Sequence, residues 1–135
     1  MRIAFGTDQN TPVTESIVAQ LLAHGHQVDR VGVGAEWPEV GRAVGEAVAD
    51  GRVDRGIVCC FTGTGVSIAA NKVSGVRAAL CTDAATAAGA RRWNDANVLA
   101  VGVRLLSPTV AEEIVAAFVT TDVDVDQLPI VGRVE

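Results

Sequence analysis

A chain of 135 residues with 49% hydrophobic and 20% charged side chains has the size and composition of one folded domain that buries a core without metal or disulfide support. Its net charge of −5, with Arg91-Arg92 as the only adjacent basic pair, excludes a general nucleic-acid binder, because no Lys/Arg cluster can neutralise several phosphates at once. No apolar run approaches the roughly twenty residues of a membrane span, and the first residues lead straight into a strand-like segment without a leader's charged and apolar regions, so a cytoplasmic protein with no membrane partner is expected.

Along the chain, Arg2 to Thr7 (RIAFGT) reads as a short buried strand ending at Asp8. Thr11 followed by Pro12 starts a helix, since proline is tolerated where its missing N–H would have had no partner. Ile17, Val18, Leu21 and Leu22 recur at helical spacing, and Gly25 ends the segment. His24 and His26 flank that end, where a favourable charge at a helix C-terminus or plain exposure accounts for them better than catalysis or metal binding. Residues 28–33 form a weaker strand. Pro38 opens a second helix in which Val40, Val44 and Val48 repeat every four residues up to Asp50-Gly51.

Ile57 to Phe61 is a continuous apolar run of the length expected for a strand buried on both faces; Thr62 to Gly65 supply a tight turn, and a small-residue helical segment follows as far as Asn71. Val76 to Cys81 is a fourth strand, and Asp83 caps the Ala-rich stretch Ala84 to Trp93. Its small side chains let another backbone approach, either under the sheet or from a second subunit. Ala96 to Val101 is a fifth strand, and Ser107-Pro108 starts a last helix with Val110, Ile114, Val115 and Phe118 on one side. Residues 120–135, with Asp122, Asp124 and Asp126 alternating with valines, read as an extended arm.

Five strands alternating with five helices predict an α/β fold: one parallel sheet with helices on both faces, as a single domain over residues 1–135. No G-x-G-x-x-G follows the first strand, no G-x-x-x-x-G-K-[ST] is present and no G-x-S-x-G occurs, so the usual dinucleotide, P-loop and hydrolase-elbow sites are absent.

The chemistry is concentrated at the turn after the third strand. A strand-to-helix crossing there lies at a carboxyl end of the sheet, where ligands bind, and the first N–H groups of the next helix are free to hold an anion. A thiolate at Cys60 would be stabilised by the positive end of that helix and could serve as base or nucleophile; the competing reading is a small buried hydrophobe. Cys59 and Cys60 point to opposite faces of the strand, so only one can belong to a site, and Cys81 reads as structural. Three cysteines in apolar runs without ligand spacing predict neither a disulfide framework nor a metal centre.

The run CFTGTGVSIAANKVSGVRAALC, the run RRWNDANVLAVGVR and the opening IAFGTD resemble the family of ribose-5-phosphate isomerase B and galactose-6-phosphate isomerase, and the resemblance covers nearly the whole chain. It implies a Rossmann-like three-layer sandwich, no metal or cofactor, and a homodimer or dimer of dimers whose active sites draw on both subunits. It further implies that Cys60 moves a proton between C1 and C2 of an open-chain sugar or sugar phosphate. Thr62, Gly63, Thr64 and Gly65 would cradle the cis-enediolate, which needs donors already in place where negative charge appears. Asp8, Gln9, Phe61, Trp93, Asn94, Arg104 and Arg133 occupy the family's other substrate-binding positions.

The chain departs from that pattern at three of them and at one further position: Gln9 stands for a histidine, Phe61 for a glycine, Trp93 for the ring-opening histidine, and Pro129 for an arginine four residues before Arg133. Neither Gln nor Trp can act as acid or base, and the two aromatics make the site more apolar. The expected activity is therefore an aldose–ketose isomerase of altered specificity, on a smaller, open-chain or unphosphorylated sugar. A subunit of a hetero-oligomeric isomerase and a non-catalytic sugar or sugar-phosphate binder are the alternatives.

Overall fold

All six residues of β3 (Arg55–Cys60) are buried, which is the pattern of a strand covered on both faces and flanked on both edges. The structure, a computed structural model, describes residues 1–135 and places β3 at the centre of a five-stranded parallel sheet. The other strands are β1 (Arg2–Thr7), β2 (Gln27–Arg30), β4 (Ala78–Leu80) and β5 (Val98–Gly102), in the order β2-β1-β3-β5-β4. Thr7 is registered with Cys59, and Cys60 with Gly102, so the carboxyl ends of the three central strands finish level with one another.

Between the strands run α1 (Pro12–Ala23), α2 (Trp37–Ala49), α3 (Thr64–Asn71), α4 (Ala84–Asn94) and α5 (Pro108–Thr120). Ile3, Phe5, Ile57 and Leu99 meet Ile17, Leu21, Ile114 and Phe118 on the face covered by α1, α4 and α5. Ala4, Val58, Val98 and Ala100 meet Val40, Val44, Val66 and Ala70 on the face covered by α2 and α3. Alternate strand residues thus feed two separate cores, each large side chain contributing about 1.5–3 kcal/mol through removal from water. The result is the three-layer, Rossmann-like α/β sandwich expected from the sequence.

Helix starts follow the local chemistry. Thr11 and Thr14 form a reciprocal capping box at α1, Asp83 accepts from the Thr86 N–H at α4, and Ser107 accepts from the Val110 N–H at α5. β4 is shorter than the predicted residues 76–81 because flanking side chains intervene. The Arg77 N–H bonds Asn97 Oδ1 at 2.8 Å, and Asn71 imitates a neighbouring strand by bonding both the N–H and the C=O of Ala78. The last fifteen residues also differ from a fully extended arm. Asp124 accepts from the Asp126 N–H to start a 3₁₀ turn at Val125–Gln127, and α6 (Leu128–Val131) follows with Pro129 in its first turn, where no amide is needed.

At the amino end of the sheet, the Phe118 ring lies between the guanidinium groups of Arg55 and Arg91, 5.7 and 5.9 Å from its centroid. Arg55 donates to the Phe118 carbonyl, and Arg91 to those of Ala96 and Thr121 and to Asp95 Oδ1. Burial, then the like charge of Arg91, pulls Arg55 below the usual guanidinium range. These buried donors tie the C-terminal ends of α4 and α5 to the sheet.

His26 sits nearby with Nδ1 3.3 Å from the N-terminal amine. Burial first, then that positive charge, holds its imidazole below the ordinary value of 6.5. Because the folded chain binds this proton less readily than the unfolded one, the contribution is complete above pH 6.5 and is lost as pH falls through the lowered folded value. His26→Gln is expected to flatten the fall in urea-melt stability on acidifying below pH 6.5; an unchanged slope would remove His26 as its source.

Candidate active site

The β1–β3 gap is where the chain changes direction in the sheet. From β1 it passes through α1 to the outer strand β2; from β3 it passes through α3, on the other face, toward β4. The two helices diverge and leave a crevice beyond the carboxyl ends, the place where α/β sheets bind ligands. Asp8 and Gln9 edge this crevice from β1, and residues 60–65 edge it from β3.

Cys60 is the last residue of β3, 5% exposed, on the α2/α3 face. Cys59 points into the opposite core, where burial pushes its thiol far up, and Cys81 is likewise pushed up to about 11 by burial. All three cysteines are free. The pairing of one strand with two faces therefore selects Cys60 as the cysteine beside the crevice.

The turn that follows is shaped by two glycines. Gly63 adopts φ +77°, the left-handed region, as the N-cap of α3, and a Cβ there would lie 2.7 Å from both Gly102 N and the Val101 carbonyl carbon. Gly102 faces the Thr62 backbone so closely that any Cβ would collide with it. Having no cap side chain, α3 directs its first amides out of the turn, and the Thr62 and Thr64 hydroxyls lie 2.7 Å apart beside them. Backbone N–H groups and two hydroxyls converge next to a cysteine, an arrangement able to hold an oxyanion while a proton is moved.

Asp8 lines an adjoining open hollow of about 450 Å³ together with Gly34, Glu36 and Trp37, and its Oδ1 is buried with no protein partner. That oxygen is left able to accept a hydrogen bond. Gln9 is exposed, with its N–H and C=O engaged by the Thr7 hydroxyl. Phe61 is 55% exposed with the Arg104 guanidinium 5.9 Å from its ring centroid. The protomer thus brings together Asp8, Gln9, the turn from Cys60 to Gly65, and Arg104.

Three expected residues lie elsewhere in the protomer. Trp93, 56% exposed, folds back against Gly89 and with Asn94 lines a groove of about 580 Å³ beside β4, where Leu80 and Cys81 form the other wall. Arg133 is near the chain end, and Glu135 bonds the Gly75 N–H at the amino end of β4, the far end of the sheet from Cys60. Sequence reasoning in turn missed Trp37. Its ring packs against Gly65, where a Cβ would lie 2.9 Å from it, so this aromatic walls the crevice. The available signal was a large aromatic immediately before Pro38, at a helix start that faces the carboxyl ends of the strands.

Similarity to known proteins follows the same chain. The family model for ribose/galactose isomerases matches residues 3–131. Ribose-5-phosphate isomerase B of Escherichia coli is 41% identical over 122 residues, spanning 87% of this chain and 82% of that protein. D-erythrulose-4-phosphate isomerase of Pectobacterium atrosepticum is 40% identical over 97 residues, spanning 72% of this chain and 64% of that protein. The solved structure of Clostridium thermocellum ribose-5-phosphate isomerase B superposes with a TM-score of 0.94 at 37% identity, over 99% of this chain and 95% of that one. Agreement in sequence and in three-dimensional architecture over nearly the full length shows that the chain belongs to the ribose/galactose isomerase family of sugar-phosphate isomerases.

Proposed function

We propose that the chain interconverts a short, acyclic aldose phosphate and its ketose, with Cys60 as the base. The observation that carries this reading is Cys60 at the mouth of the β1–β3 crevice beside the uncapped amides of α3. In the aldose-to-ketose direction the thiolate removes the proton on C2, the electron pair forms the C1–C2 double bond of a cis-enediolate, and the proton returns to C1. Meanwhile one proton passes from O2 to O1, with the Thr62 hydroxyl placed to relay it. The amides from Gly63 to Gly65 match the charge on the enediolate oxygens, and Asp8 Oδ1 would accept from a sugar hydroxyl.

The short substrate follows from Trp93. An indole cannot move a proton on and off a ring oxygen, so a substrate that must be ring-opened is poorly served. A four-carbon sugar with phosphate on O4 has no hydroxyl left to close a five-membered ring, and needs no ring-opening group. The relative named D-erythrulose-4-phosphate isomerase supports a substrate of this size. Arg104 is the cation proposed for its phosphate. A homodimer with shared sites accounts for Trp93 and Asn94 standing in the groove beside β4 and for Arg133 at the far end of its own sheet, since a second subunit could receive all three.

The test is incubation with erythrose 4-phosphate, erythrulose 4-phosphate and ribose 5-phosphate in deuterated water. The four-carbon pair is expected to interconvert with deuterium incorporation at C1 or C2, and ribose 5-phosphate to show a kcat/KM at least about tenfold lower, the size of a modest loss of transition-state contact. A ligand-induced rise in melting temperature without exchange on any of them would sink the catalytic reading and leave a binding protein.

A further inference from the structure

We infer that Phe61 is a positioning residue, whose ring holds the Arg104 guanidinium at the carboxyl ends of β3 and β5 as a preassembled anion-binding group. The inference rests on the isomerase reading only for the identity of the anion, the substrate's phosphate.

Three observations carry it. First, the strand ends are locked in register. Beyond the last rung between Cys60 and Gly102, the Val103 N–H bonds the Cys60 carbonyl at 3.0 Å and the Arg104 N–H bonds the Phe61 carbonyl at 2.9 Å. That pairing makes Phe61 and Arg104 neighbours across the two strands, and the Arg104 guanidinium lies 5.9 Å from the Phe61 ring centroid. Second, Arg104 makes no ion pair. The six in the structure belong to Arg2, Arg30, Arg52, Arg55, Arg77 and Arg91, although the chain carries five net negative charges. Third, Phe61 is a large apolar side chain left 55% exposed at the mouth of the site.

Given that register, cation–π attraction accounts for the other two observations together. A carboxylate partner would orient Arg104 but occupy its N–H donors, whereas the negative face of a ring attracts the cation and leaves the five donors in the guanidinium plane free. Those are the donors that recognise a phosphate two at a time. Holding the long side chain over a ring also restricts the rotamers that it would otherwise lose on binding the anion. A glycine at this position offers Arg104 no such surface. Phe61 thus supplies the orientation.

The experiment is a double-mutant cycle read by titration with inorganic phosphate. Full-length chains carrying Phe61→Leu, Phe61→Tyr, Arg104→Gln and Phe61→Leu with Arg104→Gln would be compared with the parent. Phe61→Leu is expected to weaken phosphate binding about two- to fivefold, the size of an exposed cation–π contact. Phe61→Tyr should restore it, and Phe61→Leu should add nothing once Arg104 is Gln. With the best sugar phosphate, the Phe61→Leu loss should fall on KM more than on kcat. Unchanged phosphate affinity in Phe61→Leu, or an equal loss with and without Arg104, would overturn the inference. The phosphate titration needs no turnover, so failure of the isomerase reading would show in the exchange assay and not here.

Discussion

Cys60→Ala is expected to lower kcat for the preferred sugar phosphate by about 10²- to 10⁴-fold, the contribution of one positioned general base. The side chain is small and 5% exposed, so its removal leaves the Thr62–Gly65 cradle in place and binding should change far less than turnover. Two controls separate chemistry from packing. Cys59→Ala shortens the neighbouring residue on the opposite face of the same strand, inside the α1/α4/α5 core, and should lower stability without a comparable loss of kcat. Cys81→Ala should behave in the same way. Steady-state rates together with urea melts decide the matter; retained isomerase activity in Cys60→Ala would remove the thiol from the mechanism.

Gly63→Ala carries the largest expected effect on stability. At φ +77° an L-residue costs about 1–2 kcal/mol, and overpacking adds about 1–3 kcal/mol because the new methyl would stand 2.7 Å from backbone atoms of Val101 and Gly102, which cannot swing aside. The sum, about 2–5 kcal/mol, is a large part of the 5–15 kcal/mol that holds a domain of this size together. Gly75→Ala isolates the two contributions, since Gly75 has φ +82° but nothing within 4 Å of its would-be Cβ. It should show only the conformational cost. Equal urea midpoints for the two variants would mean that β5 does not clamp the turn. Any Gly63→Ala protein that folds should also lose activity, because relief of the clash moves the amides proposed to face the enediolate.

Trp93 separates what sequence and structure each contribute. That position 93 holds a tryptophan, whose indole cannot take up or release a proton as an acid–base group, is visible in the sequence whatever the fold. That its ring lies against Gly89 in a groove beside β4, rather than beside Cys60 of the same protomer, emerges only in three dimensions. The Phe61–Arg104 contact is similar: forty-three positions apart in the chain, the two residues meet because β3 and β5 are neighbours, an adjacency that neither segment encodes by itself.

The sequence by itself determined, in outline, the five strands and the five helices between and after them, the two-faced burial of residues 57–60 and the tight turn that follows. Apolar periodicity, caps and glycines act over a few residues and can be read locally. It also settled that only one of the two adjacent cysteines could belong to a site, since side chains alternate along any strand; which one is decided by the two cores. Only the tertiary structure decided the strand order β2-β1-β3-β5-β4, the packing of Trp37 on Gly65, the turn and helix in the terminal arm, and the separation of Arg133 from Arg104. Those outcomes depend on how the two cores fill on either side of the sheet, a property of side chains far apart in the chain packing at once.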